Sequence, residues 1–240
     1  MFKSSTILVQ TRLLLALVSY ALCFANSASV SDLKNARDHQ DLAALDRGIA
    51  QLQQDSQAHP SSAEAQYRLA LAYSYAAEVA MEIRDKRKSE SYAEAGIDVA
   101  KKAVSNNASN AEYHRLLGEL CGQVIPANPL LGAIQYGPCA RDEIAKALQL
   151  DNKLALAYVS QGVGNYYLPP SMGGGVDIAI KEFDKAISIN ANTADAYLWK
   201  GIALRKANRD AEARQALEKA LQIEPNRVWA KQQLEKTPAR

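Results

Sequence analysis

The sequence predicts an all-α solenoid of about four helix-turn-helix repeats, with an N-terminal flanking helix and a C-terminal capping helix. Three observations carry this. Forty-eight per cent of the 240 residues are hydrophobic but only 7% are aromatic, and Ala, Leu, Lys, Glu and Gln abound, which is the composition of helices. A 34-residue unit near the C-terminus, Ala194 to Arg227, recurs upstream with the same residue types at corresponding places. No stretch reads as strand.

The first 25 residues stand apart. "MFKSSTILVQTR" carries Lys3 and Arg12 and no acid, and the apolar run Leu13 to Ala25 follows before small polar residues begin. This is the layout of a secretory signal peptide, and its apolar core is short for a membrane span. A periplasmic or secreted location is therefore expected, with membrane contact only through that segment if it stays uncleaved. Leu22 stands where a lipid-attachment cysteine at 23 would want a small residue. Without residues 1–25 the 28 basic residues fall by two, which balances the 26 acids. That balance argues against nucleic-acid binding. The one basic run, "RDKRK" from Arg84 to Lys88, sits between Glu82 and Glu90 and reads as a solvated helix face.

Residues 26–62 form the flanking region. "DLAALDRGIAQLQQDSQAHP" (Asp41 to Pro60) reads as a lone amphipathic helix that stops at Pro60. The repeats then follow as 63–110, 111–154, 155–193 and 194–227. The last is the clearest. Small residues at Gly201, Ala213 and Ala220 let two antiparallel helices approach closely, while Tyr197, Leu204 and Leu217 fill the space beside them. Pro225 ends the second helix. Upstream, Gly162, Gly118 and Ala70 take the helix-crossing position, and the surplus residues of each unit fall between its first helix (A) and its second (B). Residues 228–240 supply the cap and tail. Trp229 and Leu234 should turn inward, with Lys231, Gln232, Glu235 and Lys236 in water, because a stacked array needs a polar outer end.

The stretch "YYLPPSMGGGVDIAIKEF" (Tyr166 to Phe183) lies between helices A and B of the third repeat. Pro169 and Pro170 stop helix A, and three glycines permit a tight return path. A phosphate loop would need a preceding strand and a Lys-Ser/Thr pair after the glycines, and neither is present. Tyr166 and Tyr167 close helix A; one ring is expected under the loop and the other in a groove. His114 occupies a packing position seven residues from Cys121, too far along the axis for a shared zinc. No catalytic, cofactor or metal site is expected. Cys121 and Cys139 are either a disulfide, closing a loop of under 20 residues at a gain of roughly 3 kcal/mol, or two buried thiols.

The helical register nominates a concave partner-binding groove. Its first half holds Arg68, Leu71 and Tyr75, then Arg115 and Glu119. Its second half holds Val159, Val163 and Tyr166, then Leu198, Ile202 and Arg205. The first half is charged and the second apolar, which suits a protein or peptide partner with Arg115 and Tyr166 as anchors.

Residues 63–227 resemble tetratricopeptide-repeat (TPR) proteins, on the eight matched positions of the last unit and their upstream counterparts. The long A-to-B connections and the "YYLPPSMGGG" loop are similar to two groups: the T-components associated with periplasmic TRAP transporters, and the regulator of microtubule dynamics family. The first resemblance implies a non-catalytic array that pairs with a solute-binding protein. The expected function is an exported scaffold for a protein or peptide. The alternative is an accessory to small-molecule uptake, with an apolar pocket near Val159, Val163, Tyr166 and Ile202.

Overall fold

A computed structural model describes residues 28–239. The predicted signal segment lies outside these residues. The described chain is helical throughout, without strands. Helices α1 (Val30–Asp38) and α2 (Leu42–Ala58) form a hairpin in front of the array. Four further hairpins follow: α3 (Ala63–Glu82) with α4 (Lys86–Asn106), α5 (Ala111–Val124) with α6 (Pro129–Leu150), α7 (Ala155–Tyr167) with α8 (Val176–Ile189), and α9 (Ala194–Lys206) with α10 (Asp210–Ile223). Helix α11 (Val228–Glu235) covers the end, turning its own Ala230 and Gln233 inward. The fold is a TPR solenoid.

The flanking region holds two helices where the sequence suggested one. The extra helix α1 starts at a capping box: Ser29 Oγ accepts from the Asp32 amide at 3.1 Å, and Asp32 accepts from the Ser29 amide at 3.2 Å. Gln40, at φ 56°, turns the chain into α2, whose first turn is capped by Asp41.

The surplus residues take three different forms. In the first hairpin they are helix: α3 and α4 run 20 and 21 residues, against 13 and 14 for α9 and α10. Only residues 83–85 connect them, with Arg84 at φ 69°. In the second hairpin α6 is 22 residues long and contains Pro138, so it overhangs α5 and leaves Leu130, Leu131 and Ile134 exposed. A disulfide between Cys121 and Cys139 ties the overhang to α5. The third hairpin has a true loop. There Leu168 leaves the helix in extended geometry, Pro170–Met172 make one 3-10 turn, and Gly173 and Gly175 adopt φ of 83° and 119°. The Gly175 amide donates to the Asn165 carbonyl at 2.8 Å and seals the loop against α7.

Packing explains the repeat signature. A Cβ added at Gly162 would lie 2.4 Å from Phe183 Cε1, and one at Gly201 would lie 2.6 Å from Leu217 Cγ. Each glycine is where a B-helix side chain crosses helix A. Phe183 and Leu217 are fully buried there, each burial contributing about 2–3 kcal/mol.

Candidate partner-binding groove

The inner face predicted as an open groove is largely filled. Leu71, Arg115, Val159, Leu198 and Ile202 are buried. Leu71 packs between α3 and α5, and Leu198 and Ile202 pack beneath α11. Arg115, nominated as an anchor, is turned into the array. It is 3% exposed, binds Glu112 through two bonds of 2.7 Å, and donates to Glu119 from its other nitrogen. Glu119 also accepts from Ser74 at 2.9 Å and Ser160 at 3.1 Å, so it stitches α3, α5 and α7 together. Arg68 donates to the Ala28 carbonyl at 2.6 Å. Arg205 holds the cap through Gln233 at 2.7 and 3.0 Å. Tyr75 lies beneath the Arg37 guanidinium, 5.1 Å from its ring centre. These side chains share the inner side of the A helices, as the register requires. Five of them are buried in the array, and Arg68, Tyr75 and Arg205, partly buried, engage Ala28, α1 and the C-terminal cap.

Val163 and Tyr166 are half-buried, and the Tyr166 and Tyr167 rings differ in exposure. Tyr167 is 58% exposed, while Tyr166 packs edge-on to Trp199 at 6.0 Å with Lys206 Nζ 4.1 Å above its ring. Trp199 in turn meets Trp229 at 5.2 Å. The apolar pocket expected near Val159, Val163, Tyr166 and Ile202 is taken up by this packing, with Val159 and Ile202 each 6% exposed. The space in the fourth repeat between Ala194, Leu198, Ala220 and Arg227 is too narrow to admit even a water-sized sphere, far from the roughly 300 Å³ at which small-molecule sites begin.

The structure instead assembles a charged centre between the two ends of the described chain. Arg37 of α1 donates to Asp38 at 2.7 Å, to Glu224 at 2.9 Å and to Asp195 at 3.2 Å. Lys34 pairs with Glu224 at 2.6 Å and with Asp38 at 3.2 Å. Arg227, 1% exposed, binds Glu78 at 2.7 Å, Glu82 through both carboxylate oxygens, and the Arg37 carbonyl at 3.2 Å. Gln40 and Gln232 complete the seam, Gln40 donating to Glu82 at 2.8 Å and accepting from Gln232 at 3.1 Å. Helix α1 and the segment 224–227 thereby join the first hairpin to the fourth.

The electrostatics follow from three cations facing five carboxylates. Burial pushes the Glu78 carboxyl up to about 8, against the pull of Arg227 and Arg37. Burial also raises Glu82, again opposed by Arg227. Asp195 goes the other way: burial opposes its charge, but Arg37, Arg227 and Lys34 hold it below the usual carboxylate range. The sequence reading nominated none of these residues. The one local signal was Glu78 and Glu82, four apart in the otherwise apolar second half of α3.

The remaining chemistry is structural. His114 bridges Glu143 at 2.6 Å and the Ala108 carbonyl at 3.0 Å, tying α5 to α6. Among the described residues no group of three His, Cys, Asp or Glu is placed to hold a metal, and no helix is long and apolar enough to cross a membrane.

The family model described as "Regulator of microtubule dynamics protein 1-3" matches residues 30–168, more than half of the chain. The chain belongs to that family. It is 27% identical over 186 residues to regulator of microtubule dynamics protein 3 of Bos taurus, a match covering 70% of this chain and 38% of that protein. The chain thus spans under half the length of that relative. Among solved structures it is similar to a thermophilic TPR protein of Thermus thermophilus, with TM-score 0.57 and 16% identity over 81% of this chain and 92% of that one. It is also similar to the HusA haemophore of Porphyromonas gingivalis, with TM-score 0.53 and 20% identity over 76% and 96% of the two chains. At these identities the likeness concerns the fold. The matched segment begins at Val30, so α1 and its turn belong to the family region and are not an appendage.

Proposed function

We propose that the protein is a non-catalytic interaction scaffold whose partner is another protein. The observation that carries this reading is α1 itself. A short amphipathic helix packs Leu33 and Ala36 against α2 and α3, and a set of ion pairs ties its polar side to the fourth hairpin. Helix-in-groove docking is a general mode of protein recognition, and here the array already performs it on its own chain. The TPR fold, built from stacked hairpins that present a continuous inner surface, supports the same reading.

We further propose that this scaffold works outside the cytosol. The Cys121–Cys139 disulfide supports an oxidising compartment, as does the basic-then-apolar order of residues 1–25. The test is affinity capture by tagged residues 26–240 from the exported fraction of the native cells, read by quantitative mass spectrometry. A protein recovered in fixed stoichiometry and lost on unfolding the bait supports the scaffold. A chain that captures nothing, and instead carries a small molecule in native mass spectrometry, overturns it. Intact mass of the exported form decides the compartment: retention of residues 1–25 in a cytosolic pool refutes export.

A further inference from the structure

We infer that the surface beneath α1 is a binding site for a basic amphipathic helix of a partner protein, and that α1 is its built-in competitor. This inference rests on the scaffold reading above and specifies what the scaffold takes.

The first argument is charge. The site without α1 keeps Glu78, Glu82, Asp195 and Glu224 and one cation, Arg227. Four acidic groups against one guanidinium, two of them (Glu78 and Glu82) raised by burial, form a surface whose ionisation needs positive charge from whatever covers it. Helix α1 supplies it with Lys34 and Arg37, one turn apart on the face that also presents Leu33 and Ala36. The occupant therefore reads as Leu-Lys-x-x-Arg, an apolar anchor followed by two cations at i+1 and i+4.

The second argument is that α1 fits this site incompletely. Arg227 is 1% exposed, yet its Nε has no hydrogen-bond partner and faces Asp38 of α1 at 3.9 Å. Asp38 also brings a fifth carboxylate into a site already rich in them, and it occupies part of Arg37, its own neighbour. A partner helix with a neutral acceptor where α1 has Asp38 would satisfy Arg227 Nε and leave its own arginine free for Asp195 and Glu224.

The third argument is that α1 is built to leave. It is nine residues long, below the length at which an isolated helix holds itself. It turns into α2 through Gln40, a residue in left-handed geometry, and α2 keeps its own Asp41 cap, although Leu33 leaves the α2 surface at Gly48 when α1 departs. The ion pairs that hold it carry a desolvation cost, so a helix that supplies the same cations with fewer surplus acids can replace it.

The experiment uses the full mature chain and a fluorescein-labelled synthetic peptide with the sequence of residues 29–40. The protein is compared as wild type, as Arg37→Ala, and as the double change Leu33→Asp, Arg37→Ala, with helicity and elution volume checked for each. Anisotropy should show the peptide binding the double variant about tenfold or more tightly than the wild type, because the tethered α1 competes at high effective concentration. Arg37→Ala, which keeps the apolar contacts of Leu33 and Ala36, should lie between them, with urea midpoints confirming that it remains folded. A peptide with Lys34→Ala and Arg37→Ala should not bind, and one with Asp38→Asn should bind more tightly than the parent. Binding should weaken as salt rises from about 50 to 300 mM. Equal binding to wild type and Arg37→Ala, or to the charged and alanine peptides, overturns the inference. So does capture of a protein partner that the peptide fails to displace; that result leaves the scaffold standing and places its site elsewhere.

Discussion

Replacing Arg227 by Met removes the cation that Glu78 and Glu82 share while keeping most of the side-chain volume. Arg227 is 1% exposed and donates to both carboxylates and to the Arg37 carbonyl. Removing one partner from a buried ionic cluster costs about 3–5 kcal/mol, because the remaining charges stay buried without compensation. For a chain of 240 residues each kcal/mol moves Tm by about 2–4 °C, so the loss should be about 6–20 °C. The pH dependence separates this mechanism from lost packing. Glu78 and Glu82 are already raised by burial, and without Arg227 they rise further. A carboxyl raised in the folded state contributes stability below its unfolded pKa and loses it as pH climbs through the folded one. The deficit of Arg227→Met should therefore be largest near pH 8.5 and shrink towards pH 5.5. Thermal melts and urea titrations at both pH values measure it. A loss under about 1 kcal/mol, or one equal at the two pH values, would refute the reasoning, since either would mean that the carboxylates do not depend on Arg227.

Other perturbations follow from the same structure. Glu78→Gln keeps the contact with Arg227 and removes a carboxyl whose pKa is pushed up to about 8, so it should stabilise the protein by about 1–2 kcal/mol at pH 8 and by less at pH 5, read from urea midpoints. Reduction of the disulfide, or Cys139→Ala, should cost about 3 kcal/mol by freeing a loop of separation 18 in the unfolded chain; a reduced form that melts with the oxidised one contradicts this. Gly162→Ala puts a methyl 2.4 Å from Phe183 and should cost about 1–3 kcal/mol, with partial recovery in the double change with Phe183→Leu, tested by thermal melts. Arg84→Gly should stabilise by up to about 1 kcal/mol, since Arg84 holds φ 69° in the α3–α4 turn; a loss in urea stability would show that its side chain matters more than its backbone.

The hairpins were legible because their determinants are local. Gly162 and Gly201 mark crossings, and Phe183 and Leu217 sit at fixed distances along the sequence from them. The third connection was also legible, since prolines and glycines can only be a loop there. The first two insertions were not. Residues 74–95 are rich in good helix formers on both sides of a three-residue turn, and a residue count cannot distinguish a long loop from two longer helices. Helix α1 escaped notice because its apolar face is only two side chains wide. The openness of the inner face was not legible, for a different reason. A register says which side of a helix Arg115 or Leu198 occupies, but whether that side meets solvent depends on how far the array curls. Arg37, Glu78, Asp195 and Arg227 meet only after that curl, across separations of up to 190 residues.

The pairing of Arg227 with Glu78 and Glu82 of α3 also changes how this chain should fold. An ordinary repeat array is quasi-one-dimensional, so its end units fray and its stability is a sum of neighbour terms. Here the two ends are each other's neighbours. Opening the last hairpin exposes the buried charges of the first, so the terminal units lose the independence that lets them unzip alone. The cost is kinetic: the chain must close its longest loop before that seam forms, which puts the seam late in folding and makes the ring open as one event.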